Sequence, residues 1–117
     1  MGYMLLILEP RGQRQGRSAE EGQAAWDSML GFADGLKARG LLKAVESLKP
    51  DAGGARVEVR GGRSTIVDGP FTEAKEMVGG FFLLDCETRE QAIAIARECP
   101  AAQWATVEVR EVGPCYL

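Results

Sequence analysis

Two stretches of the chain are apolar at every position: Tyr3 to Leu8, and Phe81 to Leu84 within the segment Gly80 to Cys86. Strands that bury both faces show such runs, whereas strands with one solvated face alternate. Clean alternation marks Arg56-Val57-Glu58-Val59-Arg60, and it returns from Ala105 to Val112 through Val107 and Val109. Gly61-Gly62 is a two-residue turn of the kind that needs positive φ, so Arg63 to Val67 is expected to pair back onto 56–60. Leu41 to Leu48 is a further expected strand, and Pro50 to Gly54 breaks it.

Helical spacing fills the gaps. Ser18 and Glu21 match the S-x-x-E capping box, and Ala25, Met29, Phe32, Ala33 and Leu36 then recur on one face up to a terminator at Gly40. Thr88 and Gln91 repeat the capping logic for a second helix, which carries Ala92, Ile93, Ile95, Ala96 and Cys99 and is stopped by Pro100. The order is β-α-β-hairpin-β-α-β. It predicts an α+β fold in one domain spanning 1–117: a ferredoxin-like antiparallel sheet, two helices on one face, and an added β-hairpin. Two helices cover one face of such a sheet, yet the first and fifth strands are apolar on both. A second copy of the chain packed sheet to sheet is the simplest cover, so a homodimer is expected.

Composition narrows the function. A formal charge of −3 with no basic block gives a phosphate backbone little to grip, which argues against nucleic-acid binding. The opening apolar run is too short to span a bilayer and lacks the charged start and small-residue cleavage site of a signal peptide. Cys86, Cys99 and Cys115 are odd in number and show no C-x-x-C spacing, which favours a reduced, cytoplasmic setting over a disulfide framework. With no histidine, the commonest general base and the commonest metal ligand are both missing. No metal or cofactor is expected.

The segment with most information is Asp68-Gly69-Pro70-Phe71, followed by Thr72-Glu73-Ala74-Lys75-Glu76 and Gly79-Gly80-Phe81-Phe82. A carboxylate, two backbone-controlling residues and an aromatic make a shaped corner. Together with Tyr3-Met4-Leu5-Leu6, Ala92-Ile93, Cys99-Pro100-Ala101 and Val107-Glu108-Val109-Arg110, this ordered set closely resembles the YCII-related proteins, in the branch named for its Asp-Gly-Pro-Phe motif. The resemblance implies a bacterial protein with a dimeric α+β barrel and a mostly unsettled biochemical role. It also implies gene neighbourhoods shared with extracytoplasmic-function sigma factors, which makes such a factor a candidate partner. Some members have a histidine and an aspartate proposed as a catalytic pair, and this chain lacks the histidine.

Asp68 is accordingly the candidate acid or base, with Tyr3, Phe71, Glu73 and Lys75 as candidate ligand-binding residues. Each also has a plain structural reading. Asp68 would hold a turn, Phe71 would plug the core, Tyr3 would sit at the core rim, and Glu73, Lys75 and Glu76 would be solvated charges. Arg11, Arg14 and Arg17 suit either an anion-binding loop or a mobile polar connection. Trp26 and Trp104 suit ligand stacking or packing. Two functions fit: a dimeric small-molecule-binding or regulatory protein, and a small-molecule lyase, isomerase or hydrolase that uses Asp68.

Overall fold

The computed structural model describes residues 2–116. Among them, the elements run β1 (Tyr3–Pro10), α1 (Ala19–Ala38), β2 (Leu42–Ser47), β3 (Ala55–Arg60), β4 (Arg63–Asp68), β5 (Glu76–Leu84), α2 (Arg89–Glu98) and β6 (Thr106–Glu111), with short 3-10 turns at Asp51–Gly53 and Pro100–Gln103. Four strands form one antiparallel sheet in the order β2-β5-β1-β6, the ferredoxin-like arrangement. Strands β3 and β4 form a separate ribbon turned by Gly61 and Gly62, both at positive φ. The α+β expectation holds, and the added hairpin stands apart from the main sheet.

Parity along β1 places the core. Tyr3, Leu5 and Ile7 are buried, and their β5 partners are Leu84, Phe82 and Gly80. Leu36 of α1 and Ala92, Ile95 and Ala96 of α2 complete the same cluster, so both helices lie over this face. Phe32 meets Phe82 edge to face, with ring centroids 5.3 Å apart. Fully buried leucines such as Leu5 and Leu84 each stabilise the fold by about 1.5–3 kcal/mol. Met4, Leu6 and Leu8 point the other way with Phe81 and Leu83, and none belongs to the cluster. That face of the sheet is apolar in the middle and bordered by Glu108 and Arg110 of β6.

Two boundaries differ from the sequence reading. Strand β5 begins at Glu76 rather than Gly80, because β1 continues to Pro10 and pairs Glu9 with Met77 and Pro10 with Glu76. The segment between Phe71 and this strand makes a single turn, closed by the Ala74 N–H on the Phe71 carbonyl. A β-bulge interrupts the pairing: Ile7 faces Gly80 but Leu8 faces Val78, leaving Gly79 as the extra residue.

The helix caps follow the sequence with one exception. Ser18 and Glu21 form the reciprocal box, the Ser18 Oγ accepting from the Glu21 N–H at 3.1 Å and the Glu21 carboxylate from the Ser18 N–H at 2.9 Å. At α2 only half of the box is made. Thr88 accepts from the Gln91 N–H, but the Gln91 side chain accepts from the Glu87 N–H instead. Gly35, on an exposed stretch of α1, has nothing within 4 Å of where a Cβ would sit. Gly35→Ala is therefore expected to raise stability by roughly 1 kcal/mol through helix propensity, read as a higher urea midpoint with an unchanged slope. No helix among the described residues is long and apolar enough to cross a membrane.

Candidate functional site

The motif corner is built around Arg11 and Asp51. Asp51 lies in the turn after β2, and Arg11 leaves the end of β1. The guanidinium grips the carboxylate with both Nη atoms, at 3.0 Å for Nη1–Oδ1. It also donates to the Ala74 carbonyl at 2.7 Å and the Phe71 carbonyl at 3.0 Å. Asp51 accepts in addition from the Phe71 N–H at 3.2 Å. The Gly69 N–H donates to the Gly54 carbonyl at 2.8 Å, so the corner is stapled to the 51–54 turn. Phe71 is buried beneath the Arg56 guanidinium, 3.9 Å from its ring centre, and Arg56 in turn pairs with Glu73 at 3.6 Å.

This cluster gives the corner a pH dependence. The side-chain hydrogen bonds from Arg11 hold the Asp51 carboxyl at about 2, against the opposing effect of burial and with help from the Phe71 N–H. A carboxyl depressed on folding contributes stability that is complete above its ordinary value of 3.8 and is lost as pH falls through the folded value. Wild-type protein is thus expected to lose melting temperature between about pH 4 and pH 2 more steeply than Asp51→Asn, in parallel thermal scans.

A second site lies under α1. A cavity of about 600 Å³ opens between that helix and the sheet. Its walls are apolar, from Ile7, Phe82 and Val45 of the sheet and Ala25, Met29 and Ala33 of the helix. Trp26 and Trp104 stand at its border, Trp26 being 48% exposed. Its polar end gathers Glu9, Arg14, Arg17 and Ser18, the last at the α1 N-terminus. Glu9 continues the buried parity of β1 and is only 6% exposed. The Arg14 Nε lies 2.7 Å from Glu9 Oε1, close enough for strong charge attraction. The N–H is not aligned for a hydrogen bond, and Oε1 accepts none from any described residue. Gly79, the bulge residue, permits this approach: a Cβ there would stand 2.7 Å from Glu9 Oε2.

The residues singled out in the sequence scatter. Asp68 ends β4 opposite Ala55, is exposed, and lines neither this cavity nor a second one of about 510 Å³ beside Phe71. Phe71 and Glu73 meet through Arg56. Lys75 is exposed, and only its carbonyl takes part in the corner, accepting from the Arg11 N–H at 2.9 Å. Tyr3 is buried at the far end of β1, where burial raises its hydroxyl pKa, with Glu111 and Glu90 adding. The three loop arginines are each engaged: Arg11 at the corner, Arg14 on Glu9, and Arg17 over the Trp104 ring at 5.6 Å. Among the described residues, no group of three or more His, Cys, Asp or Glu converges as a metal site.

Two acids that matter were missed. Glu9 lay one step beyond the expected end of the first strand, yet the odd-numbered parity Tyr3, Leu5, Ile7 already pointed to it. Asp51 sat in a segment read only as a breaker, and nothing local marks it as the partner of Arg11 forty residues away.

Comparison with known proteins agrees with the architecture. The YCII-related domain matches residues 1–115. A protein of Rhizobium meliloti (strain 1021), described as uncharacterised, is 29% identical over all of this chain and 94% of its own length. With the match running from the first strand past the last, the chain belongs to the YCII-related family.

Proposed function

We propose that the chain is a small-molecule-binding protein that works as a dimer, with its ligand in the cavity under α1. One observation carries this reading: an apolar-walled cavity of about 600 Å³ between α1 and the sheet, with the Glu9–Arg14 ion pair, Arg17 and Ser18 gathered at one end. The volume falls within the range of small-molecule sites. An acid or base at Asp68 gains no support from its exposed position, so Asp68→Asn is expected to leave binding unchanged.

The dimer reading rests on the apolar sheet face of Met4, Leu6, Leu8, Phe81 and Leu83, which neither helix covers. The β3–β4 ribbon adds Val57, Val59 and Ile66, each at least 60% exposed and on one side of the ribbon. A contiguous apolar surface of this kind suits an interface. Buried, unpaired Cys86 and Cys99 suit the reducing cytoplasm. The Asp68-Gly69-Pro70-Phe71 segment supports membership in the branch of the family named after that motif.

Gly22 offers the cleanest test. It lines the cavity mouth on α1, and a Cβ there meets nothing within 4 Å. Gly22→Phe is expected to fill the mouth while gaining helix propensity, so the variant folds with undiminished stability. Ligands found by thermal-shift screening of wild type, and seen as a change in tryptophan fluorescence through Trp26 and Trp104, are expected to lose binding in this variant. Undiminished binding to Gly22→Phe would place the ligand elsewhere.

A further inference from the structure

The charges around the cavity under α1 are matched within the protein. This narrows the ligand class, an inference that rests on the cavity being the binding site. Four charged side chains line it, Glu9 and Glu46 against Arg14 and Arg17, and their charges sum to zero. Glu9 and Arg14 neutralise each other at 2.7 Å, and the Arg14 Nη2 continues to the Gly79 carbonyl at 3.5 Å. Arg17 lies over Trp104, its guanidinium carbon 5.6 Å from the ring centre, and donates to the Gln13 side chain at 3.4 Å. Its charge also bears on the Glu21 carboxylate in the first turn of α1. Glu46 pairs with Phe81 and so belongs to the opposite face of the sheet, meeting the cavity only at its rim. The Ser18 hydroxyl is occupied in the α1 cap.

The surface left to a ligand is apolar. Ile7, Val45 and Phe82 rise from the sheet, Met29 faces them from α1, and Trp26 stands half-exposed at the mouth. An aromatic or compact aliphatic body meets hydrophobic contact, a polarisable sulfur and π-faces there. A carboxylate or ammonium entering the same space gives up hydration and finds no free counter-charge to replace it. We propose that the cavity selects an uncharged ligand with an aromatic or compact apolar body, and that the Glu9–Arg14 pair sets this neutrality. Either member alone would attract an ion of the opposite sign. Held together, they close that end of the cavity with a pair of zero net charge.

Three probes share one phenylpropyl body and differ in charge at neutral pH: 3-phenylpropan-1-ol, 3-phenylpropionate and 3-phenylpropylamine. Isothermal titration calorimetry of the full-length protein is expected to show the alcohol binding about tenfold or more tightly than either ion. Breaking the pair is expected to change that order. Glu9→Gln leaves the partly exposed Arg14 as a bare cation, so the propionate is expected to gain about tenfold on the alcohol. Arg14→Gln leaves Glu9 unmatched, and the amine is expected to gain by a similar factor. A purely structural role for the pair would shift all three probes together. Circular dichroism checks that each variant folds, and the wild-type titrations decide the ligand class even if neither does. Tightest binding of either ion to wild type, equal binding of all three probes, or no binding at millimolar concentration would overturn the class while leaving the cavity as the site. Folded variants that keep the wild-type order would overturn the role given to the pair. Binding of the alcohol that survives Gly22→Phe would overturn the site itself.

Discussion

Gly69→Ala is expected to destabilise the protein by at least about 3 kcal/mol, a far larger effect than alanine has at most surface turns. The ideal Cβ at this position would stand 1.8 Å from the Asp51 carbonyl oxygen and 2.9 Å from its carbonyl carbon. The obstacle is backbone, so no side chain can rotate away. Relief requires the two segments to separate, which breaks the Gly69–Gly54 hydrogen bond and pulls Phe71 from the Asp51 carboxylate. For a domain of this length the melting temperature is expected to fall by roughly 10–15 °C. The glycine of the motif is thus fixed by close approach of two chain segments. A variant that melts within a few degrees of wild type would show that the corner yields easily and that the motif is not an anchor.

Leu6→Lys is expected to split the proposed dimer without unfolding the protomer. Leu6 lies mid-sheet on the uncovered face, between Phe81 on β5 and Glu108 on β6. In a free protomer the lysine ammonium reaches water and its stem still covers the strand. In a two-fold dimer packed through this face, two ammonium groups would be buried close together, at several kcal/mol each. The dissociation constant is therefore expected to rise by a hundredfold or more. Sedimentation velocity at micromolar concentration should show a dimer for wild type and a monomer with native circular dichroism for the variant. A wild-type monomer, or a variant that remains a dimer, would contradict the assignment of this face.

The fold was legible because its determinants are local and periodic. The box at Ser18–Glu21, the φ of 71° at Gly40 and the turn at Gly61-Gly62 are all where the residue types demand them. Strand ends were less legible. The extensions of β1 to Pro10 and of β5 back to Glu76 depend on each other through the ladder, and the Gly79 bulge that joins them has no signature beyond the glycine pair. The site was hardly legible at all. The Asp-Gly-Pro-Phe segment drew the eye to Asp68, yet the acid that organises the corner is Asp51, supplied from another loop. Long-range pairs such as Arg11 with Asp51 leave no trace in a single sequence. Glu9 was within reach, because a charged residue on the buried parity of a central strand demands a partner.

The most direct measurement is a crystal structure of the protein grown with a ligand found by thermal-shift screening. The expected density lies under α1, among Met29, Phe82 and Trp26 and beside the Glu9–Arg14 pair. Density beside Asp68 or Phe71 instead, or a cavity already filled by side chains of a second protomer, would contradict the assignment.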